Sequence, residues 1–326
     1  MSKVIPQHLP TREGMVIKST GNWYTVLPTD SPETLKCRIV GKFRLKEAVL
    51  TNPVAVGDIV RFVNEGDEGD GMIQQIMPRK NYIARQSPRQ KHALHLLASN
   101  VDQAILFVTM VEPSLKQGFI DRFLLMTEPQ DILTHIVFNK ADLYQPQDLE
   151  MFEYMKAVYT KIGYHIHLVS AATGQGIAEL REILRDKITL VSGQSGVGKS
   201  TLVNALQPDL VLRTSELSDY TGKGQHTTTF AEMHPLSFGG HIIDTPGIKN
   251  LSFNNLSASD VRQNFREFFV LSQGCRFGGS CTHRDEPHCA IKAAFELHEI
   301  SELRYKNYLK ILEELAEQNY WELIKG

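Results

Sequence analysis

The sequence of 326 residues predicts three consecutive domains: an all-β barrel, a central α/β domain and a C-terminal α-helical module. Short alternating apolar runs separated by Gly, Pro and Asn occupy residues 12–85, as in a small barrel. From residue 103, fully apolar runs typical of buried strands alternate with helical patterns, as in a parallel sheet. Apolar residues at helical spacing dominate the C-terminal part. We therefore expect domains at 1–86, 87–252 and 253–326.

Composition limits the class of protein. Hydrophobic residues make up 42% and charged residues 22% of the chain, as in ordinary globular proteins. No apolar run approaches the roughly 20 residues that cross a bilayer, and the N-terminus has no apolar signal segment. We expect a cytoplasmic protein without a membrane partner, and nothing in the sequence indicates more than a monomer.

The predicted barrel is basic and has the size of an oligonucleotide/oligosaccharide-binding (OB) fold. Residues 1–91 contain fourteen Lys and Arg against nine Asp and Glu, a net +5, whereas the whole chain carries −2. Such asymmetry suggests nucleic acid on one face. Lys42, Arg44 and Lys46 alternate along one predicted strand, which makes them candidate RNA contacts. Cys37, remote from the other cysteines, is expected to be a barrel residue.

A guanine-specific motif follows one buried strand. In Asn139-Lys140-Ala141-Asp142, the Asp142 carboxylate can accept hydrogen bonds from both N1–H and the 2-amino group of guanine. Adenine has neither donor there, so this motif selects guanine. Ser170-Ala171, at the end of the next apolar run, could offer a backbone N–H to guanine O6.

The phosphate-binding motif is GQSGVGKS, which follows a predicted strand and begins a helix. Its glycines allow backbone N–H groups to surround an anion, and the helix N-terminus adds its dipole. Lys199 would reach the β- and γ-phosphates, and the Ser200 hydroxyl would bind Mg²⁺. The residues expected to contact GTP here are Gly193, Gln194, Ser195, Gly196, Val197, Gly198, Lys199, Ser200 and Thr201.

Two further motifs complete a phosphate site. In Asp-Thr-Pro-Gly, Asp244 would hold Mg²⁺ through water, and the N–H of Gly247 would sense the γ-phosphate. A threonine upstream should complete the Mg²⁺ shell. Thr227, Thr228 and Thr229 are all candidates, and Thr228 is favoured.

The order of these motifs is rotated. An ordinary GTPase has its phosphate motifs before its guanine motif, but here residues 139–142 precede residues 193–200 and 244–247. Cutting such a domain between its two halves and joining the old termini produces this order, because domain termini often lie close together. The sequence therefore predicts a circularly permuted P-loop GTPase.

A cluster of cysteines and histidine predicts a structural metal site. Cys275, Cys281, His283 and Cys289 offer three thiolates and one imidazole, the ligand set of a closed tetrahedral zinc site. All four positions are filled by protein, so the ion would stabilise the helical module and leave no place for a catalytic water. His288 is an alternative fourth ligand.

Catalysis needs a residue that orients the attacking water. Many GTPases place Gln after Asp-x-x-Gly, but Ile248 stands there and cannot hydrogen-bond water. His226, beside the threonine run, is the nearest candidate. We therefore expect slow intrinsic turnover that depends on a partner, with catalytic roles for His226, Lys199 and Gly247.

Over nearly the whole chain, the motifs NKAD, SAATGQG, GQSGVGKST, DTPG and Cys-Cys-His-Cys resemble the RsgA (YjeQ, EngC) family of circularly permuted GTPases. The resemblance implies a late assembly factor of the small ribosomal subunit that binds rRNA near the decoding region. It implies one structural Zn²⁺, Mg²⁺ bound with GTP, and hydrolysis to GDP that the ribosome stimulates and that drives release. The family's histidine before the threonine run corresponds to His226. Five residues separate Cys275 from Cys281 where the family spacing is expected to be four.

Two other functions fit the same motifs. The chain could be an RNA-binding module that uses GTP as a structural ligand, an alternative that Ile248 keeps open. It could also be a translation or signalling GTPase that acts on a protein partner.

Overall fold

A computed structural model describes residues 10–40, 50–64, 70–86, 93–208, 231–245 and 256–325, with side chains of the last helix as far as residue 317. The chain forms two compact units. The first comprises Met1–Asp102, Leu184–Val191 and Gly224–Pro246, and the second comprises Gln103–Ile183, Ser192–Lys223 and Gly247–Gly326. The domain boundaries expected from the sequence stay a prediction.

The described residues form the following regular elements. Strands β1 to β13 span Arg12–Ser19, Tyr24–Pro28, Leu35–Ile39, Ile59–Asn64, Gly71–Ile76, Tyr82–Gln86, Leu94–Ser99, Gln103–Val108, Leu133–Phe138, His165–Leu168, Ile188–Gly193, Glu232–Pro235 and His241–Asp244. Helices α1 to α8 span Phe119–Thr127, Pro146–Lys161, Ile177–Leu184, Lys199–Leu206, Ala258–Gln263, Arg266–Leu271, Ala290–Glu296 and Glu302–Lys325.

The first unit contains a closed five-stranded barrel, as the sequence predicts. Its strand order is β1-β2-β3-β5-β4, and β4 pairs back with β1 to close the ring. All pairs are antiparallel except β3 with β5, which run parallel. Closure removes the exposed edges that an open sheet of this size would have.

Alternating side chains fill the barrel. Val16, Val26, Phe62 and Ile73 are fully buried, and each such side chain contributes about 1.5–3 kcal/mol relative to an exposed position. Cys37 is also fully buried among them, which confirms that it is a barrel residue. Burial raises the pKa of its thiol to about 12, so it stays protonated and unreactive.

The rest of the first unit consists of short pairings. β6 and β7 form a separate antiparallel pair, while β13 runs parallel to β11 and antiparallel to β12. β12 meets β1 at one position, where Lys18 and Glu232 form an exposed ion pair at 2.8 Å. These pairings leave Asp244 at the carboxyl end of a strand.

The second unit contains the predicted parallel α/β architecture. β8, β9 and β10 are parallel in the order β10-β9-β8. Every residue of β8 is buried, which explains why its sequence is apolar from Ala104 to Val108. α1 packs against β8 and β9, and α2 packs against β10.

The C-terminal helices of the second unit share one core with α1. Phe265, Phe268, Tyr308 and Ile311 are almost fully buried together with the three clustered cysteines, and Leu125 of α1 joins them. α8, with 24 residues, is long enough to cross a bilayer, but its charged residues make it too polar. Within the described ranges, no helix is both long and apolar enough to span a membrane.

Candidate functional site

Asn139 joins three of the predicted motifs in the second unit. It follows β9, is 1% exposed, and its Nδ2 donates a hydrogen bond to the carbonyl of Val197 at 2.9 Å. Its Oδ1 accepts a hydrogen bond from the N–H of Ala171 at 3.2 Å. One buried amide thus ties the guanine motif to both the glycine loop and the Ser-Ala turn.

The next residues of the guanine motif are oriented by defined contacts. Lys140 adopts a left-handed backbone conformation (φ 63°), and its Nζ donates to the carbonyl of Glu112 at 2.5 Å. Asp142 is exposed, and its Oδ1 accepts a hydrogen bond from the hydroxyl of buried Ser170. The Asp142 carboxylate is therefore held in place while remaining open to a ligand.

These segments surround a cleft of about 190 Å³. Its walls come from the guanine motif, the Ser-Ala turn and the start of α4. The residues that line it are Asn139, Lys140, Asp142, Leu143, Ala171, Ala172, Gly198 and Thr201. Residues predicted from three separate stretches of sequence thus meet in one place.

The glycines of the phosphate motif occupy positions that favour glycine over residues with a side chain. A Cβ on Gly193 would lie 2.6 Å from the carbonyl oxygen of Phe107, and one on Gly198 would lie 2.6 Å from Asn139 Nδ2. Gly196 and Gly198 also have φ values of 85° and 83°, which favour glycine. Glycine is therefore favoured at these positions both by the backbone conformation and by the close approach of neighbouring atoms.

The glycine loop leads directly into a helix N-terminus. Gly198 is the N-cap of α4, which begins at Lys199. The first N–H groups of a helix have no partner within it, and together with the helix dipole they favour an anion. Lys199 and Ser200 are half-buried in this first turn, where a cation and a hydroxyl can meet phosphate oxygens.

The remaining predicted phosphate residue in the described chain is Asp244. It ends β13 of the first unit and is 6% exposed. Its neighbour Thr245 is buried, and the Thr245 hydroxyl donates to the carbonyl of Val191 at 3.0 Å. A carboxylate at a strand end is an oxygen donor of the type that Mg²⁺ prefers.

Other predicted residues lie outside the part of the chain that the structure describes. They are the RNA-contact candidates Lys42, Arg44 and Lys46, the catalytic candidates His226 and Gly247, the threonines Thr227, Thr228 and Thr229, and Ile248.

Sequence reasoning missed the loop at residues 109–118, which carries no recognisable motif. Besides the Glu112 carbonyl that holds Lys140, its Met110 N–H donates to the hydroxyl of Tyr144 at 3.0 Å. That hydroxyl in turn donates to the carbonyl of Asn139 at 2.9 Å. The only available signal was its position after a buried strand, where α/β proteins place ligand-binding loops.

The cysteine cluster forms a compact, fully buried group in the C-terminal helical part. Nδ1 of His283 lies 3.6 Å from Sγ of Cys275 and 3.4 Å from Sγ of Cys289, and those two sulfurs are 4.0 Å apart. With Cys281, the four ligand atoms all lie within 4.8 Å of one another. A tetrahedral zinc site with bonds of about 2.0–2.3 Å requires separations of roughly 3.4–3.8 Å, so the four residues could hold such an ion.

The protonation states of His283 and Cys281 bear on whether the cluster can bind a metal ion. Burial lowers the pKa of His283 to about 4, so its imidazole is neutral, the form that binds metal. Burial also raises the pKa of Cys281 to about 12, and a bound divalent ion would reverse this shift by stabilising the thiolate. His288, the alternative ligand, is exposed and is not part of the group.

The unexpected spacing of five residues is accommodated locally. A 3₁₀ turn at Gly278–Ser280 lies between Cys275 and Cys281. The N–H of Gly278 donates to the carbonyl of Cys275, and the N–H of Cys281 donates to the carbonyl of Gly278. The longer loop folds into this turn and leaves both sulfurs in the cluster.

Comparison with protein families assigns most of the chain. A family model described as RsgA GTPase matches residues 76–254, and one described as RsgA N-terminal domain matches residues 13–73.

Relatives and solved structures agree with these matches. Proteins named small ribosomal subunit biogenesis GTPase RsgA are 46% identical over 308 residues in Bacteroides fragilis (94% of this chain, 98% of the relative) and 47% identical over 302 residues in Flavobacterium psychrophilum (92% of each). The crystal structure of YjeQ from Thermotoga maritima matches with a TM-score of 0.76 and 37% identity, covering 94% of this chain and 99% of that one. The structure of YloQ, a circularly permuted GTPase, matches with a TM-score of 0.70 and 31% identity, covering 97% and 99%.

Proposed function

This chain belongs to the RsgA family and is a GTPase, and we propose that it acts as a late assembly factor of the small ribosomal subunit. In this proposal it binds rRNA, hydrolyses GTP to GDP and phosphate, and leaves the subunit after hydrolysis. The observation that carries it is the cleft where the guanine motif, the Ser-Ala turn and the start of α4 meet. The names of the relatives supply the ribosomal partner.

We assign nucleotide recognition to residues of the second unit. Asp142, oriented by Ser170, would accept the N1–H and 2-amino hydrogens of guanine, and the N–H of Ala171 would face O6. The backbone of the glycine loop and Lys199 would bind the phosphates. Adenine nucleotides offer Asp142 no matching donor, so they should bind weakly.

Hydrolysis of the γ-phosphate is assigned to the neighbouring motifs. Ser200, Asp244 and Thr228 would hold Mg²⁺, which would supply positive charge against the phosphates. Lys199 and the N–H of Gly247 would stabilise charge on the γ-phosphate. His226 would orient the attacking water, the task that Ile248 cannot perform. Because Ile248 stands where many GTPases place the water-orienting glutamine, turnover should be slow until the small subunit is bound.

The N-terminal domain is assigned to RNA binding, and the C-terminal helical module is assigned a structural metal ion. Lys42, Arg44 and Lys46 of the basic N-terminal domain are proposed RNA contacts. The four residues of the cysteine cluster are proposed to hold one structural Zn²⁺, since their ligand atoms converge to within 4.8 Å of one another. We propose domains at 1–86, 87–252 and 253–326, a monomeric state and a cytoplasmic location.

The decisive experiment compares GTP hydrolysis with and without purified small ribosomal subunits. We expect stimulation of the wild-type rate and loss of at least tenfold of the stimulated rate in His226→Ala, with GDP affinity unchanged. No stimulation of the wild type would favour an RNA-binding module in which GTP is a structural ligand. Stimulation by a protein partner in place of subunits would favour a signalling or translation GTPase. A normal stimulated rate in His226→Ala would remove His226 from the mechanism.

A further inference from the structure

The loop at residues 109–118, which we call the bridging loop, contacts both sides of the nucleotide cleft. The carbonyl of Glu112 accepts the hydrogen bond from Lys140 of the guanine motif. Pro113 lies against the glycine loop, because its Cδ is 3.4 Å from the position of a Cβ on Gly196. Displacement of this loop would therefore disturb both the base side and the phosphate side of the cleft.

The far end of the bridging loop is tied to the C-terminal helix α8. Arg122 of α1 donates from Nη1 to the carbonyl of Gln117 at 3.0 Å and from Nη2 to Glu314 of α8 at 2.5 Å. Gly118 lies so close that a Cβ there would be 2.5 Å from Nη1 of the same guanidinium. One side chain thus connects the end of the loop with a helix some 190 residues later in the sequence.

A buried carboxylate makes the second connection between α1 and α8. Asp121, 1% exposed, accepts hydrogen bonds from Arg304 Nη1 at 2.5 Å, Asn307 Nδ2 at 2.5 Å and the Tyr159 hydroxyl at 2.7 Å. Arg304, also 1% exposed, pairs in addition with Glu267 of α6 at 2.7 and 2.9 Å. Breaking such a pair leaves a buried charge without its partner, so the network holds α1 firmly against α8.

The bridging loop has little packing beneath it. A cavity of about 510 Å³ is lined by residues of the loop, of α1, of α2 and of α8, including Met110, Leu115, Met155 and Asn307. Oδ1 of Asn307 is buried and makes no hydrogen bond within the described part of the chain. The loop is therefore held at its ends by polar contacts more than by a packed core, and release of one end should let it shift.

We propose that Arg304 of the C-terminal helix is a positioning residue for guanine nucleotide binding. Through Asp121 and the bridging loop it holds Lys140 at the cleft, so nucleotide affinity depends on how α8 is docked. This inference rests on the nucleotide site of the proposed function and adds a regulatory input to it. By thermodynamic reciprocity, bound nucleotide also strengthens the docking of α8.

The test measures the affinity of the full-length protein for a fluorescent GDP analogue. Arg304→Met keeps an apolar stem but removes the charge, and we expect GDP to bind about tenfold more weakly, within the range of such long-range couplings. The KM for GTP should rise, while kcat at saturating GTP stays within about twofold, because the residue positions the site and does not touch the reacting atoms.

Two variants separate this effect from a loss of stability. Arg79→Met removes the ionic partner of buried Asp58 in the first unit, a comparable structural lesion that involves neither the bridging loop nor α8. It should leave GDP affinity unchanged. Glu314→Gln is milder, because this side chain is 38% exposed, and it should weaken GDP binding about threefold in a stably folded protein.

A double-mutant cycle identifies the route. If Arg304 acts through Lys140, then Arg304→Met should change GDP affinity less than about twofold in a Lys140→Ala background. Equal losses in both backgrounds would overturn the inference, as would unchanged GDP affinity in Glu314→Gln and in folded Arg304→Met. If the wild-type protein did not prefer the GDP analogue to its ADP counterpart, both the assigned site and this inference would be wrong.

Discussion

The barrel and the C-terminal module bury cysteine in opposite ways. Cys37 lies alone among valines and aromatic residues of the barrel, where burial keeps it a protonated, apolar side chain. Cys275, Cys281 and Cys289 are also buried, but their sulfurs converge on the imidazole of His283. The comparison teaches that burial alone makes a thiol inert, whereas converging donor atoms create a group that could hold a metal ion.

The two regions also differ in what keeps them folded. The described part of the barrel is a ring of backbone hydrogen bonds around an apolar core. Helices α5, α6 and α7 have only six or seven residues, well below the roughly 12–15 at which isolated helices become stable. A module built from such short helices depends on tertiary contacts, and the cysteine cluster lies at the centre of them.

The largest expected effect comes from removing one ligand of the cluster. Cys289→Ser should abolish stoichiometric zinc binding and unfold α5 to α7, because structural Zn²⁺ supplies about 10–16 kcal/mol to small modules. Hydrogen exchange read by mass spectrometry should show lost protection in residues 256–300 and unchanged protection in β1 to β5. Cys37→Ala is the matched control and should retain the metal. If the metal-free Cys289→Ser protein protected the module from hydrogen exchange as well as the wild type does, the module would not depend on the metal ion.

A smaller effect is expected at Cys37 itself. Cys37→Ser places a hydroxyl among apolar side chains and should lower the free energy of unfolding by about 1–3 kcal/mol. Cys37→Ala should cost less, because it leaves only a small cavity and no unpaired polar group. Urea denaturation measures both, and zinc content serves as the control. Loss of zinc in Cys37→Ser would mean that the folding of the barrel and the folding of the C-terminal module are coupled.

The same contrast explains what the sequence could predict. The barrel strands were predictable because apolar and polar residues alternate where one face of a strand is buried. The glycine motif was predictable because the backbone at these positions leaves no room for a side chain, as at Gly193 and Gly198. His283 was correctly preferred to His288 as a member of the cluster. The parallel pairing of β3 with β5 had no local signal, since it joins strands that are not consecutive.

The bridging loop and the network around Asp121 were missed for a related reason. Asp121 and Arg304 are 183 positions apart, and nothing in the residues around either one marks the other as its partner. An aspartate in a first helical turn is an ordinary sequence feature, because carboxylates are favourable there. Asp121 becomes buried, and so gains its structural role, only when α8 packs against α1.

The smallest expected effect concerns acid stability and involves Glu286. Burial alone would raise its pKa, but hydrogen bonds from the hydroxyl and N–H of Thr282 and from the N–H of Arg284 outweigh this and lower the pKa to about 2. Because the folded pKa lies below the ordinary glutamate value of 4.5, the stabilisation is fully present above that pH. It should be lost as the pH falls towards 2.

Glu286→Gln tests this contribution because it removes the charge and keeps the shape. It should lower the free energy of unfolding of the module at pH 7 by up to about 1 kcal/mol. Between pH 4.5 and 2, the variant should lose less of its remaining stability than the wild type does. Asp30→Asn is the matched change in the barrel unit, where the Arg12 guanidinium lowers the pKa of a fully exposed carboxyl. Solvent screens that pair, so its removal should leave acid unfolding unchanged. Equal shifts in both variants would mean that solvent exposure does not weaken the Arg12–Asp30 pair, and would contradict this prediction.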